Sequence, residues 1–254
     1  MTTLALETVG LSKHFGMLRV ADDVNFQLPE GARHALIGPN GAGKTSFINL
    51  VTGELTPSAG RILLAGQDIT AAPIHRRVRA GLGRTFQTNS LFNGLSVIEN
   101  VALSISERER TAWSMIRLAG RERAILDEAY ALTAGFGLAD LASCVVSTLS
   151  YGHQRLVEIA VALACQPLVL LLDEPAAGVP AGEASIILDA LERLPANIAV
   201  LLIEHDMDIV YRFARQITVL DRGRILVEGT PDEIAANEDV RRIYFGETEA
   251  QWDV

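Results

Sequence analysis

Gly38-Pro39-Asn40-Gly41-Ala42-Gly43-Lys44-Thr45 fits the phosphate-binding pattern G-x-x-x-x-G-K-[ST] at every position. Ahead of it Ala35-Leu36-Ile37 reads as the end of a buried strand, and behind it Ser46-Phe47-Ile48-Asn49-Leu50-Val51 continues a helix. Glycines let such a turn approach phosphate closely, successive N–H groups converge on its oxygens, and the helix N-terminus favours negative charge. Lys44 is placed to reach the outer phosphates, and Thr45 to offer its hydroxyl to Mg²⁺.

Further along, the apolar run Leu168-Val169-Leu170-Leu171-Leu172 ends in Asp173-Glu174-Pro175. A continuous run of this length suggests a central parallel strand buried on both faces, and open α/β sheets bind ligands at the C-terminal tips of such strands. Asp173 suits Mg²⁺ ligation, and Glu174 suits polarising a water for attack on phosphorus. Ile198-Ala199-Val200-Leu201-Leu202-Ile203 repeats the arrangement, with Glu204-His205-Asp206 at its tip. There His205 can hydrogen-bond a phosphate, hold an attacking water, or simply sit in a capped turn. Leu149-Ser150-Tyr151-Gly152-His153-Gln154 opens another helix, with Ser150 as its N-cap. That start is either an ordinary cap or a second anion site built from a hydroxyl, Gly152 and free N–H groups. Phe15, in Lys13-His14-Phe15-Gly16, is a partly buried hairpin aromatic or a platform for a nucleotide base. Gln87 closes the strand-like Leu82-Gly83-Arg84-Thr85-Phe86-Gln87 as a surface amide or a ligand-facing group.

The elements that must position these groups follow from periodicity. Leu4–Glu7 and Val24–Leu28 read as antiparallel strands, and Gly60–Gly66 as a short strand between glycines. His75-Arg76-Arg77-Val78-Arg79 reads as a basic helical segment with a solvated face. Over residues 88–148 strand signals vanish and helical patterns dominate, from Val97–Leu103 and through a charged stretch from Glu107 to Phe136. Trp113, Met115, Ile116 and Leu118 fit the core of that segment better than a cofactor site. The expected organisation is an α/β core over 1–87 and 149–254, mainly parallel sheet with an antiparallel β portion, and a helical subdomain inserted at 88–148. Beyond it, Gln216–Leu220 and Arg224–Val227 form a hairpin turned by Asp221-Arg222-Gly223. Thr230-Pro231-Asp232-Glu233 then opens a helix with a capping box, and a last helix surrounds Val240–Tyr244.

With 254 residues and 49% apolar composition, the chain can bury a substantial core. A formal charge of −9 argues against a general nucleic-acid binder. Cys144 and Cys165 are too few for a disulfide framework and read as small buried hydrophobes in a reducing cytoplasm. No apolar run approaches the roughly 18 to 20 residues that span a bilayer, and the N-terminus lacks the charged and apolar blocks of a signal peptide.

Taken together and in this order, the phosphate loop, Gln87, Leu149–His153, Asp173-Glu174 and His205 resemble the ATP-binding-cassette ATPases over essentially the whole chain. The resemblance implies a P-loop NTPase core that hydrolyses ATP with Mg²⁺. It implies that Gly38, Pro39, Asn40, Gly41, Ala42, Gly43, Lys44, Thr45 and Ser46 hold the phosphates and that Phe15 stacks on adenine. Thr45, Gln87 and Asp173 would support the metal, Glu174 would be the general base, and His205 would contact the γ-phosphate. Two cassettes would face head to tail, with Ser150 and Gly152 closing the partner's site. The signature reads Leu-Ser-Tyr-Gly-His where the common family form is Leu-Ser-Gly-Gly-Gln, and Pro180 stands where many members carry aspartate. The latter bears on communication between the two sites.

Several segments are similar to the ATPases of importers for branched-chain and hydrophobic amino acids, urea and amides. They are Arg84–Gln87, Ser96–Asn100, Pro175–Gly178, Ile203–Met207 and Asn237–Gly246. This implies a peripheral subunit on the cytoplasmic face of the inner membrane. Its partners would be a second ATPase, a paralogue as the first expectation or else a second copy of this chain, two permease subunits and, indirectly, a periplasmic solute-binding protein. A lipopolysaccharide-type exporter ATPase shares the style. A soluble cassette acting on ribosomes or DNA fits less well, because such proteins fuse two cassettes or carry coiled-coil insertions. Tyr151, His153 and Pro180 would suit a regulatory partner with weakened hydrolysis, but intact Lys44, Glu174 and His205 argue against it.

Overall fold

The structure, a computed structural model, describes residues 3–85, 91–109 and 119–245. In chain order it begins with β1 (Leu4–Phe15), β2 (Leu18–Pro29), β3 (Arg33–Ile37), α1 (Lys44–Thr52), β4 (Ala59–Leu64) and β5 (Gln67–Asp68). Then come α2 (Ile74–Arg79), β6 (Leu82–Arg84), α3 (Val97–Arg108), α4 (Ala119–Gly135), α5 (Tyr151–Ala164), β7 (Val169–Asp173) and α6 (Ala181–Glu192). The last elements are β8 (Ala199–Ile203), α7 (Met207–Phe213), β9 (Gln216–Asp221), β10 (Arg224–Gly229), α8 (Pro231–Ala236) and α9 (Glu238–Phe245). They fall into two compact units, one of residues 1–74 with 199–254 and one of residues 75–198.

In the first unit β1 pairs antiparallel with β2, as the alternating N-terminal sequence predicts, and β4 adds antiparallel to β1 and to β5. The run β10-β9-β3-β8 lies alongside: β3 is parallel to β8 and to β9, and β10 returns antiparallel. All five residues of β8 and the last four of β3 are buried, which is why these strands are near-continuous apolar runs without alternation. Phe26 packs edge-on against Phe47 of α1 at 5.5 Å and against His34 of β3 at 5.0 Å, so an aromatic cluster joins β2, β3 and the helix after the phosphate loop. The tail helix α8 has the predicted capping box: Thr230 Oγ1 accepts from Glu233 N–H at 3.4 Å, and Glu233 Oε2 accepts from Thr230 N–H at 2.7 Å.

In the second unit β6 and β7 run parallel, and every residue of β7 is buried. Arg108 ties three helices together: its Nη1 and Nη2 donate to the Glu128 carboxylate of α4, each at 2.8 Å, and Nη1 also donates to the Ala164 carbonyl closing α5, at 2.8 Å. A cation at that helix C-terminus complements its dipole. Two expectations need correction. Arg77 of α2 is only 2% exposed, so the basic helix is not wholly solvated. Cys144 and Cys165 are free and half-buried rather than fully enclosed. Trp113, Met115, Ile116 and Leu118 lie outside the described residues. Among the described residues, no helix is long and apolar enough to cross a membrane.

His34 illustrates how the first unit handles a buried polar group. Thr218 Oγ1 donates to Glu228 Oε2 at 2.9 Å and lies 2.7 Å from His34 Nε2. Threonine has one hydroxyl proton, so the imidazole must be the donor and carries its proton on Nε2. Burial pushes the His34 pKa from 6.5 down to about 4. Because the folded pKa is depressed, the associated stability is complete above about pH 6.5 and is lost as pH falls through 4. Relative to His34→Gln, denaturant unfolding of the native chain should lose about 3 kcal/mol across that window. Parallel pH profiles for the two proteins would contradict the burial argument.

Candidate functional site: a phosphate loop and two polar strand tips

The loop from Gly38 to Gly43 leaves β3 and enters α1 with no room for a side chain at either end, while its middle, at Asn40 and Gly41, is exposed. A Cβ at Gly38 would lie 2.4 Å from the Leu220 carbonyl oxygen of β9, and one at Gly43 would lie 2.5 Å from the Val20 carbonyl oxygen of β2. Gly43 also has φ of +105°, which side chains rarely adopt. The β9–β10 turn braces the loop, since Gly223 N–H donates to the Ala42 carbonyl at 2.8 Å and Asp22 N–H donates to the Gly223 carbonyl at 2.8 Å. Gly43 caps α1 without a side-chain acceptor, so no capping side chain covers the start of this helix. Lys44 curls back so that Nζ donates to the Gly38 carbonyl at 2.5 Å and to the Pro39 carbonyl at 3.2 Å. Its ammonium therefore lies over the loop. Thr45 is exposed beside it, and Ser46 follows on the same first turn.

Phe15 ends β1 with 52% of its surface exposed, and the Lys13 ammonium stands 4.8 Å from its ring centroid. It is an exposed hairpin aromatic with a face available for stacking. At the tip of β8, Glu204 is 1% exposed while the His205 side chain is 66% exposed. Glu204 Oε2 accepts from His205 N–H at 3.2 Å, and Asp206 caps α7 by accepting from Asp208 and Ile209 N–H groups. The imidazole thus stands outward on a buried carboxylate.

In the second unit the tip of β7 holds Asp173 and Glu174. Asp173 Oδ2 lies 3.1 Å from Arg84 Nη2, with side-chain exposures of 8% and 11%, a largely buried pair. Glu174 has φ of +47°, a left-handed conformation costing a non-glycine residue about 1 kcal/mol or more, and such strain concentrates at functional positions. Ala177 N–H donates to the Glu174 carbonyl at 3.0 Å and closes the turn.

Ser150 caps α5 as expected, accepting from His153 N–H at 3.4 Å. Tyr151 is held by Arg155, whose Nη2 donates to its hydroxyl at 2.8 Å, while Arg155 pairs with Glu158 at 2.7 Å. The nearest contact a Cβ at Gly178 would make is Tyr151 Cε1 at 3.6 Å, so the tyrosine lies against the loop that follows Glu174. Glu183 of α6 bonds both Ser150 and Gly152.

The structure thus brings Lys44, Thr45 and the loop glycines together in one unit, and Ser150, Gly152, Asp173 and Glu174 into the other. Gln87 lies outside the described residues. Arg84, Glu183 and Glu204 were not singled out from sequence as site residues. A charge inside the short buried β6 and an acid three residues after Pro180 were the available signals. The described residues hold no cluster of three or more His, Cys, Asp or Glu arranged for a metal. The Thr45 hydroxyl in the first unit and the Asp173 carboxylate in the second are each hard oxygen donors of the kind Mg²⁺ accepts.

Residues 21–177 match the family described as ABC transporter, and residues 224–250 match that described as branched-chain amino acid ATP-binding cassette transporter. The high-affinity branched-chain amino acid transport ATP-binding protein LivG of Escherichia coli (strain K12) is 38% identical over 254 residues, covering 97% of this chain and 100% of that one. The counterpart BraF of Pseudomonas aeruginosa is 36% identical over 258 residues, again covering 97% and 100%. The crystal structure of the ADP conformation of MJ1267, an ATP-binding cassette of an ABC transporter, matches with a TM-score of 0.83 at 31% identity, covering 97% and 100%. The phosphate loop, the polar strand tips and these matches agree, and the chain belongs to the ABC-transporter family as an ATP-binding, ATP-hydrolysing cassette.

Proposed function

We propose that this cassette powers import of a branched-chain amino acid or related small solute through separate membrane subunits. The observation that carries the reading is the braced phosphate loop, with Lys44 folded back over it and no room for a side chain at Gly38 or Gly43. The transport names of the relatives and the C-terminal match over 224–250 support the solute class. The single phosphate loop and single signature segment call for a second cassette, head to tail, and a paralogue is the expected partner. Two permease subunits and a periplasmic binding protein would complete the importer, with this chain on the cytoplasmic face of the membrane. Residues 88–148 are assigned as the helical insertion in a core of 1–87 and 149–254.

In the proposed reaction the loop amides from Gly38 to Ser46 and the Lys44 ammonium hold the phosphates, and Phe15 stacks on adenine. Glu174 takes a proton from the attacking water as its oxygen bonds to the γ-phosphorus and the bond to ADP breaks. His205 hydrogen-bonds the γ-phosphate. Ser150 and Gly152 act on the partner's nucleotide. Thr45, Asp173 and Gln87 would hold Mg²⁺, which neutralises charge on the phosphate oxygens when bound. Phosphoryl transfer asks little more of the protein than positioning and electrostatic stabilisation.

Glu174→Gln should lower turnover about 10²- to 10⁴-fold while nucleotide affinity stays within a few-fold. Unchanged turnover in the assembled transporter would remove Glu174 from the base role. Gly43→Ala combines forbidden φ with a backbone collision, and should weaken nucleotide binding about 10- to 100-fold in a fluorescent-ADP titration. Wild-type affinity would mean the loop is not the phosphate site.

A further inference from the structure

Pro180 is the N-cap of α6, and Glu183 takes the third helical position, from which an acidic side chain ordinarily reaches back to the N-cap N–H. Proline has no N–H, so that bond cannot form. The carboxylate crosses instead to the start of α5, where Oε2 accepts from Gly152 N–H at 2.9 Å and from the Ser150 hydroxyl at 3.0 Å. Ser150 Oγ lies 2.8 Å from His153 Nδ1 as well. Serine has a single hydroxyl proton, and with it directed to Glu183, His153 must carry a proton on Nδ1 and donate to Ser150. A relay therefore runs from His153 through Ser150 to the carboxylate. A Cβ at Gly152 would stand 2.5 Å from Glu183 Oε2, so the carboxylate in this position occupies the space a side chain there would need.

We propose that Glu183 is a resident anion of the signature helix. Its carboxylate holds the Ser150 and Gly152 donors that a terminal phosphoryl group on the partner cassette's nucleotide would take, so the nucleotide engages only by displacing it. The proposal rests on the in-trans role assigned above to Ser150 and Gly152. Carboxylate and phosphoryl oxygens are anionic acceptors with the same demand on N–H and O–H donors, and like charges cannot share them. Glu183 is half-buried on a first turn, with solvent to receive it once displaced. ADP, lacking the terminal phosphoryl group, brings no competing anion, so the contact favours separation of the cassettes after hydrolysis. The departures at Pro180 and His153 thereby acquire a common consequence: one frees the carboxylate, and the other orients the serine proton toward it.

In Glu174→Gln protein ATP persists, so ATP-driven association can be titrated by light scattering, with the chain alone and mixed with the second cassette of its transporter. Added to that background, Glu183→Gln and Glu183→Ala should each reach half-maximal association at about tenfold lower ATP. Thermal melts identify any unfolded variant, and Glu183→Gln, which keeps the shape, carries the test if Glu183→Ala does not fold. An equal or higher ATP requirement in the folded variants overturns the proposal and makes Glu183 a positioning residue for α5. Glu174→Gln protein that binds ATP yet stays monomeric in both mixtures overturns the in-trans reading, and this proposal with it.

Discussion

A helix begins with N–H groups that its own turns cannot satisfy, and the character of this protein depends on how those groups are met at α1 and α5. At α8 the chain solves the problem internally, with Thr230 and Glu233 exchanging bonds. At α3 Ser96 and Glu99 do the same, Glu99 Oε2 accepting from Ser96 N–H at 2.7 Å. At α1 no side chain serves, because the cap is Gly43 in a left-handed conformation. A cation stands there instead, the Lys44 ammonium held over the loop by the Gly38 and Pro39 carbonyls. At α5 the cap is a serine reinforced by the carboxylate of a neighbouring helix. One helix start is thus arranged as positive and the other is covered by an anion, although both are built from the same backbone physics.

The strand tips follow a related constraint. β7 and β8 are fully buried, and each delivers acidic residues at its end. A carboxylate leaving an apolar environment stays ionised only with partners close by. Asp173 has Arg84 across a largely buried contact, whereas Glu204 turns to the backbone of His205. Glu174 next door carries its cost in the backbone, in a left-handed turn that points the chain away from β7 toward α6. Tyr151 against Gly178, held by Arg155, supports the same loop from the side of α5. The loop after Glu174 and helix α5 are therefore connected through Tyr151, and through the Glu183 carboxylate that bonds Ser150 and Gly152.

Much of this was written in local pattern. Gly38–Thr45 needed only its own spacing and flanks, because glycine, lysine and threonine at those offsets serve phosphate and little else. Buried parallel strands announced themselves as unbroken apolar runs at 169–172 and 199–203, and Ser150 and Thr230 marked helix starts by hydrogen-bonding chemistry confined to four residues. Tertiary structure alone decided which distant side chain meets which. That Arg84 neutralises Asp173, that Leu220 and Val20 present carbonyls leaving room only for glycine, and that Glu183 spans to Ser150 depend on separations of tens to hundreds of residues. No periodicity encodes such contacts, since they arise when independently formed elements pack and their polar groups must find partners away from water.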